Sequence, residues 1–476
     1  MNAESILLDK WDIKPLGEAC KTIKGKKPKN TGPVSTERTV PYINIKAFES
    51  GQPEEFAAPG DYPACERNDV LIVWDGARAG LSGRAVPGYI GSTLAKVYSE
   101  VADNRYLFYF LRSQYSRINS RTKGVGIPHV DPMIFNNIPF PIAPKDQQKR
   151  IVAEIEKQFS RLDEAVANLK RVKANLKRYK AAVLKAAVEG KLTEDWRKQH
   201  SSVEPAAKLL ERILAKRRAK WNGRGKYKEP SSPNTSGLPN LPPSWTWTRW
   251  EQIGFSQNGR AFPSAQYQAS GFKLLRPGNL HVSGKVVWAG ENTRCMPKKW
   301  ADEFPEFVVG SRELIMNLTA QSLKDEFLGR VCLTGPGEAC LLNQRQARLT
   351  PVLVIPEFLL CLFKSPVFRR FVDGLNTGSL IQHMFTSQLA DFVLPLPAIE
   401  EQHQIVSEVE RRLSVIEELE TAVQANLTRA DRLRQATLQC AFAGKLVPQG
   451  SIELVNCPSG SNLKVASHCH SAMEKY

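Results

Sequence analysis

Residues 181–192 read AAVLKAAVEGKL, and residues 435–446, 254 positions further along the chain, read QATLQCAFAGKL. The similarity extends backwards without a gap over 141–192 and 395–446, where 15 of 52 positions are identical. The identical residues of the first copy are Pro141, Gln148, Ile151, Val152, Glu154, Glu156, Ser160, Glu164, Arg178, Ala182, Leu184, Ala187, Gly190, Lys191 and Leu192. An internal duplication of this kind indicates a repeated structural unit.

Each copy predicts a long helix. No Gly or Pro interrupts residues 145–189, and apolar residues at spacings of three and four trace one narrow stripe, as in a coiled-coil seam. Gly190 and Gly444 stand where a helix C-cap belongs. We expect the two copies to pack antiparallel, related by an approximate two-fold axis. The predicted seam comprises Ile151, Ile155, Leu162, Val166, Leu169 and Leu176, with Val172 and Tyr179 on the same stripe, and Ile405, Val409, Leu413, Ile416 and Val423.

The segments before the two helices predict two similar α+β domains. Both open with a Trp-containing segment, continue through short apolar strand-like runs and one helix-like stretch, and close with a Gly-containing loop and a Pro-flanked strand. We therefore expect two such domains separated by two long helices in an antiparallel coiled coil, pseudo-two-fold overall. The predicted boundaries are 1–139 for the first domain, 140–199 for the first long helix, 200–244 for a basic helix and a Pro/Ser/Gly linker, 245–394 for the second domain, 395–447 for the second long helix and 448–476 for an irregular tail.

The composition favours a polyanionic partner. The formal net charge is +18 and the isoelectric point is near 9.5, which points to nucleic acid before an anionic membrane surface. The nine cysteines are scattered without a C-x-x-C pair, as in reduced cytoplasmic proteins. No secretory signal and no apolar run long enough to span a bilayer is expected. The segment His468–Cys469–His470 is not expected to bind metal, and no cofactor is predicted.

Basic residues in Gly-containing loops and on the first long helix are the candidate DNA-binding residues, because Arg and Lys bind phosphates and guanine edges. The competing interpretation of each is a solvated surface residue. The candidates are Lys24, Lys26, Lys27, Lys29, Arg78, Arg84, Arg121 and Lys123 in the first domain, Lys173, Lys177 and Lys180 on the helix, and Arg260, Lys273, Arg276, Arg330, Arg345 and Arg348 in the second domain.

No catalytic residues are predicted. The chain has neither the G-x-x-x-x-G-K-[ST] nor the G-x-G-x-x-G phosphate-binding pattern. Asp69 and Asp75 flank a predicted strand, where paired carboxylates are common without catalysis.

The duplicated helix endings in A-x-x-G-K-L and the helix starts Q-x-x-I-V-x-E-I/V-E at 148–156 and 402–410 resemble the specificity subunit of type I restriction-modification enzymes. The resemblance covers about residues 5–450. The tail after the second G-K-L departs from the family pattern.

The resemblance implies a DNA-recognition subunit without catalytic activity, whose two domains each read one half of a bipartite DNA site. It also implies partners: double-stranded DNA, two modification subunits recruited by the helices, and restriction subunits. Two other interpretations stay open at this point. One is a self-sufficient DNA methyltransferase or nuclease, which would bind cofactor tightly on its own. The other is a coiled-coil scaffold, which would have no affinity for DNA.

Overall fold

The computed structural model describes residues 11–124, 126–220, 226–321, 323, 326–375 and 381–448. These residues belong to two compact units. The first unit combines the chain up to residue 168 with the chain from residue 426 onwards, and the second comprises residues 169–425. The predicted irregular tail, including His468, Cys469 and His470, lies outside the described residues from 449 onwards.

The first unit is a mixed α+β domain. Its strands are β1 (Asp12–Pro15), β2 (Lys21–Lys24), β3 (Thr31–Gly32), β4 (Val40–Ile43), β5 (Phe56–Ala57), β6 (Ala64–Cys65), β7 (Val70–Val73), β8 (Ser82–Arg84), β9 (Gly88–Ile90), β10 (Leu94–Tyr98) and β11 (Pro139–Ile142). Its helices are α1 (Leu16–Ala19), α2 (Ile45–Ser50), α3 (Asn104–Ser113), α4 (Tyr115–Asn119), α5 (Pro132–Asn136) and the first part of α6 (Lys145–Val188). The sheet orders are β2-β10-β7-β8 and β3-β5-β4-β9-β6, and β1 pairs with β11.

The second unit is also a mixed α+β domain. Its strands are β12 (Thr246–Arg249), β13 (Gly254–Asn258), β14 (Phe272–Leu275), β15 (Cys295–Met296), β16 (Val308–Val309), β17 (Leu314–Asn317), β18 (Thr319–Ala320), β19 (Val331–Leu333), β20 (Cys340–Leu342), β21 (Gln346–Pro351), β22 (Gln382–His383) and β23 (Val393–Leu396). Besides the second part of α6, its helices are α7 (Glu194–Gln199), α8 (Ala206–Ala219), α9 (Trp250–Ile253), α10 (Lys299–Glu303), α11 (Pro356–Phe363), α12 (Pro366–Asp373), α13 (Thr386–Ala390) and the first part of α14 (Ile399–Phe442).

The strand order of the first unit recurs in the second. The order β13-β21-β17-β19 repeats β2-β10-β7-β8, and β12 pairs with β23 as β1 pairs with β11. The parallel pair β4–β9 has its counterpart in the parallel pair β14–β20. The expected fold class, two similar α+β domains combined with two long helices, is confirmed.

The central strand of each larger sheet is covered on both faces. All four residues of β7 are buried, and so are all four of β17. Side chains alternate between faces along a strand, so Val70 and Ile72 enter one apolar cluster while Leu71 and Val73 enter another. Continuous apolar sequence, rather than alternation, is what such a strand requires.

The start of each long helix is bound to its domain by a repeated glutamine. Gln148 Oε1 accepts the backbone N–H of Asp103, the N-cap of α3, at 2.8 Å, and Gln148 Nε2 donates to the carbonyl of Ala143 at 2.7 Å. Gln402, 254 residues later, accepts the N–H of Ile355, the N-cap of α11, at 3.0 Å, and donates to the carbonyl of Pro397 at 3.0 Å. The identity of these two residues in the sequence repeat therefore reflects an identical hydrogen-bonding role.

Both helices end at the predicted glycines. Gly190 has φ 73° and Gly444 has φ 72°, a left-handed conformation that favours glycine. The N–H of Lys191 donates to the carbonyl of Ala186 at 2.9 Å, and that of Lys445 to Cys440 at 2.8 Å. With the Gly190–Ala187 and Gly444–Ala441 bonds, these are two Schellman motifs. The C-cap prediction is confirmed.

The end of each helix belongs to a domain core. In the first unit, Leu438 and Ala441 of α14 lie in the same apolar cluster as β7 and α3 residues, and the Phe442 ring contacts Tyr106 and Phe110. In the second unit, Leu184 and Ala187 of α6 lie in the cluster that contains β17 and α11 residues. The repeated endings are therefore apolar core segments as well as helix terminators.

Within each unit the segments of α6 and α14 run antiparallel. In the first unit, Gln158 bonds to Thr437 and Asp163 to Arg434, so the partner number falls as the α6 number rises. In the second unit, Lys173 bonds to Gln424, whereas Thr193, just beyond the end of α6, bonds to Glu401. Seven of the eleven predicted seam residues are buried, and the other four, Leu162, Val166, Leu169 and Leu413, are half-buried.

Two residues of the predicted apolar stripe are not buried. Val172 is 43% exposed and Tyr179 is 49% exposed, so their assignment to the buried seam was wrong. The contact to α14 beside Val172 is polar, from Lys173 Nζ to Gln424 Oε1 at 3.0 Å. Tyr179 is close to Arg412, whose guanidinium interacts with its hydroxyl. Apolar spacing alone therefore overestimated the length of the dry seam.

The predicted basic helix forms as α8 and contributes to the second unit's core through Leu209 and Ile213. Arg217 on this helix donates to the carbonyl of Gly254 at 2.6 Å and lies 3.9 Å from the Phe255 ring centroid. Part of the basic run is therefore structural. Among the described helices, none is long and apolar enough to cross a membrane.

Candidate nucleic-acid interface

Four segments of the first unit are joined by backbone hydrogen bonds into one surface. We call this the first loop face and define it as residues 24–29, 74–78, 91–94 and the stretch 121–131 without residue 125. The bonds that join it run from N–H to carbonyl as Gly25 to Leu94 (2.9 Å), Lys26 to Ile90 (3.0 Å), Trp74 to Thr93 (2.8 Å), Gly76 to Pro128 (2.8 Å) and Val130 to Trp74 (2.9 Å). The predicted basic residues that lie on this face are Lys24, Lys26, Lys27, Lys29, Arg78, Arg121 and Lys123.

Gly25 is required where two segments of this face approach each other. A Cβ at this position would lie 2.2 Å from the carbonyl oxygen of Gly91 and 2.5 Å from that of Ile90. Both neighbours are backbone atoms, which cannot move aside as a flexible side chain could. The glycine thus allows the Lys-rich segment to lie directly against the turn 91–94.

Charged side chains on the first loop face are paired but remain accessible. Asp75 accepts from Lys24 Nζ at 3.1 Å and contacts Nδ1 of His129 at 2.7 Å. Lys123 Nζ lies 3.0 Å from Asp131 Oδ2. Burial opposes the charge of Asp131, but the Lys123 ammonium and the N–H of Met133 hold the pKa of its carboxyl below the ordinary value. The two carboxylates are mostly buried, whereas the Lys24, Lys123 and His129 side chains are about half exposed, so the acids orient cations that still face solvent.

The second unit repeats this scaffold. We define its second loop face as residues 258–263, 317–320, 343–346 and 381–384. Its backbone bonds from N–H to carbonyl are Gly259 to Gln346 (2.9 Å), Arg260 to Leu342 (3.1 Å), Leu318 to Arg345 (2.9 Å) and Met384 to Leu318 (3.0 Å). Each has its counterpart on the first loop face. Gly259 again permits the close approach, since a Cβ there would lie 2.1 Å from the carbonyl oxygen of Asn343.

A cleft of about 440 Å³ opens beside the second loop face. Asn343, Gln344 and Arg345 line it together with Tyr267 and Arg276. The guanidinium carbon of Arg276 lies 5.7 Å from the Tyr267 ring centroid. Amide, guanidinium and aromatic groups are the side chains that hydrogen-bond to and stack on nucleobases. The predicted Arg276 and Arg345 are thus brought together.

The remaining predicted residues of the second domain have contacts inside it. Arg260 lies 3.6 Å from the Phe304 ring centroid, Lys273 4.9 Å from that of Trp288, and Arg330 donates to the carbonyl of Leu280 at 3.3 Å. Arg348 is fully engaged, because Nε bonds to Gln257, Nη1 to the carbonyl of Val308 and Nη2 to that of Glu306. Its donors link neighbouring strands, and we leave Arg348 out of the proposed interface.

Two predicted residues of the first domain also have partners within it. Arg84 lies 5.6 Å from the ring centroid of Phe108 on α3, and it is not on the first loop face. Arg78 is on that face but is ion-paired with Glu49. On α6, Lys173 and Lys177 are exposed and Lys180 is half-buried. Their spacings of four and three place them on one side of the helix.

The described residues contain no arrangement that favours catalysis over binding. Asp69 and Asp75 lie at opposite ends of β7 and have different partners, Lys96 at 2.5 Å for Asp69 and Lys24 for Asp75. No group of three or more His, Cys, Asp or Glu among the described residues is arranged to hold a metal ion. Burial raises the pKa of Cys332, Cys340 and Cys361 to about 12, so these thiols stay protonated and are poor nucleophiles.

Sequence reasoning missed the turn residues Ser92, Thr93, Asn343 and Gln344 because none carries a charge. It also missed that Asp75 and His129 form a pair 54 residues apart in sequence. A signal did exist: IGSTLA at 90–95 and LNQRQA at 342–347 occupy equivalent places between two apolar strands. Aligning the strands around them would have identified the turn.

Known proteins resemble this chain over nearly its whole length. A model of the type I restriction modification DNA specificity domain matches residues 8–178. The MjaVIII specificity subunit of Methanocaldococcus jannaschii is 25% identical over 441 residues, covering 92% of this chain and 93% of that protein. The EcoKI specificity subunit of Escherichia coli is 27% identical over 370 residues, covering 76% and 69%. A chain in a solved structure of a type I restriction-modification system superposes with a TM-score of 0.64 at 18% identity, covering 92% and 98%, and shares the fold.

Proposed function

We propose that this chain, which belongs to the family of type I restriction-modification specificity subunits, reads a bipartite DNA site with its two loop faces, one half-site each. It is a DNA-recognition subunit and not an enzyme. A self-sufficient methyltransferase or nuclease is not favoured, since relatives along most of its length are specificity subunits. A pure scaffold would not account for two basic loop faces.

One observation carries the assignment of the two faces. The same set of backbone hydrogen bonds builds both, yet the side chains differ: Ser92 and Thr93 occupy the turn of the first, and Gln344 and Arg345 that of the second. A constant framework with different exposed side chains is suited to reading different base sequences, because base edges present distinct donor and acceptor patterns in the major groove. This supports two unlike half-sites.

The proposed partners are double-stranded DNA, modification subunits and restriction subunits, acting in the cytoplasm. We propose two modification subunits, one for each copy of the repeated helix start. The support is the duplication: Gln148 and Gln402 bind their domains in the same way, so one kind of partner would find the same backbone geometry twice. Catalysis and its cofactors would then reside in the partners.

The proposal is tested by comparing DNA methylation in cells with and without this gene, the modification subunit being present in both. We expect one bipartite, asymmetric methylated sequence to disappear when the gene is deleted. Identical methylation patterns in the two strains, with all subunits expressed, would contradict the function.

A second prediction concerns the lysines of α6. Neutralising Lys173, Lys177 and Lys180 to Gln should weaken binding to cognate and non-cognate DNA by similar factors, because they lie on a helix outside both loop faces. The slope of log affinity against log salt should fall by about 0.9 for each phosphate that the variant no longer neutralises. The measurement is a salt titration with the assembled methyltransferase.

The triple Lys→Arg variant is the matched control for this titration, since it keeps all three charges and should keep the slope. An unchanged slope in the Gln variant would show that these lysines do not contact phosphates. A changed base preference would show that they read sequence.

A further inference from the structure

The two loop faces contain the same tight turn. In residues 91–94, the N–H of Leu94 donates to the carbonyl of Gly91 at 2.9 Å, and in residues 343–346 that of Gln346 donates to Asn343 at 3.1 Å. Each turn connects the strand β9 or β20 to the next strand, β10 or β21. The two central residues, Ser92 and Thr93 or Gln344 and Arg345, therefore occupy equivalent positions.

Neighbouring segments hold each turn from both sides. The carbonyls of Thr93 and Arg345 accept the N–H groups of Trp74 and Leu318, and those of the residues that end the turns accept Gly25 and Gly259. In the second turn the Asn343 side chain also accepts the N–H of Gln344 at 2.7 Å. The backbone is thus fixed independently of the two central side chains, which leaves them open to variation without refolding of the turn.

The central side chains of the second turn face solvent. Gln344 and Arg345 are exposed and line the cleft beside Tyr267 and Arg276. Arg348, three residues further on, is consumed by contacts inside the domain. Arg345 stands in contrast, because its backbone carbonyl is anchored by Leu318 while the side chain extends into the open cleft. A guanidinium on a fixed backbone loses little conformational freedom when it binds a planar, bidentate acceptor.

We propose that the turn 343–346 reads one base pair of the second half-site, and that Arg345 hydrogen-bonds the O6 and N7 acceptors of a guanine. This deepens the proposed function and rests on it. Bidentate Arg–guanine pairing is the commonest specific contact in the major groove. The counterpart turn, with Ser92 and Thr93 at its tip, carries the short hydroxyl side chains that bind several base edges and the thymine methyl group. A phosphate-binding role would not require the two turns to differ.

The test is the double variant Gln344→Ser, Arg345→Thr, which places the tip of the first turn on the second. Because both side-chain pairs already occur on this backbone, the variant should fold. The assembled methyltransferase is assayed by sequencing the methylated sites on a DNA library randomised in both half-sites. We expect the preference for guanine at one position of the second half-site to fall by about 5- to 150-fold, with the first half-site unchanged.

Arg370→Thr is the matched control, since Arg370 is exposed on α12, outside the second loop face, and its replacement should leave the recognised sequence unaltered. An unchanged site in the folded double variant would overturn the inference, and so would an equal loss of affinity on every sequence, which would mark the turn as a phosphate contact. If the double variant has a lowered unfolding temperature, the single variant Arg345→Gln is scored in its place by the same criteria. Failure of the wild-type assembly to methylate any bipartite site would contradict the proposed function itself.

Discussion

Replacing residues 1–142 with the first domain of another specificity subunit is expected to change one half of the methylated site completely and to leave the other half as it was. The first loop face lies entirely within this segment, and the second lies entirely outside it. Each base pair of the original half-site that the new face no longer matches should cost about 1–3 kcal/mol of binding free energy. Three such mismatches would abolish recognition of the original site.

The structure defines where the exchange has to be cut. β11 (Pro139–Ile142) pairs with β1 over four residues, so a cut at 139 would separate the two strands of this pair. The donor domain must also accept Leu438 and Ala441, which complete the core of the first unit. The sequence of methylated sites is read before and after the exchange.

The reciprocal exchange of residues 245–396 is the control, because it should alter the other half-site alone. A single exchange that alters both half-sites would show that the two faces do not act separately, and the assignment of one half-site to each face would have to be abandoned.

Truncating Leu438 to Ala should destabilise the first unit although this residue lies near the end of the chain's second long helix. Its side chain is 1% exposed in the core cluster that contains Tyr106 and Phe110. Removing a fully buried leucine side chain costs about 2–5 kcal/mol of unfolding free energy. Leu184→Ala, at the equivalent position of α6, should act on the second unit in the same way, because Leu184 lies in that unit's core.

Hydrogen exchange followed by mass spectrometry separates the two effects. The Leu438 variant should accelerate amide exchange in β7 and not in β17, and the Leu184 variant should do the opposite. Leu419→Ala makes the same substitution on α14 where the leucine is 47% exposed, and it should change stability by about 0.5 kcal/mol or less. Equal acceleration in both strands by either core variant would refute this assignment of helix ends to cores.

The long helices, their endings and the duplicated organisation could be predicted because their determinants are local. Uninterrupted apolar periodicity specifies a helix, and Gly190 and Gly444 terminate it because glycine adopts positive φ at little cost. Gln148 and Gln402 stood out as identities in the repeat, although sequence alone could not show which backbone groups they bind. The stripe failed at Val172 and Tyr179, where the partner helix offers polar rather than apolar contacts.

The sequence by itself thus determined two α+β domains, two long helices with their end points, and the family to which the pattern belongs. Only the tertiary structure decided which basic residues form an interface. Each loop face is assembled by backbone hydrogen bonds between segments that are far apart in the chain, such as Gly25 to Leu94 and Gly76 to Pro128, and no local pattern encodes such pairings. The same distinction separates Arg345 from Arg348: both stand three residues apart in one stretch of sequence, but only the packing of neighbouring strands shows that Arg348 is bound inside the domain while Arg345 reaches the open cleft.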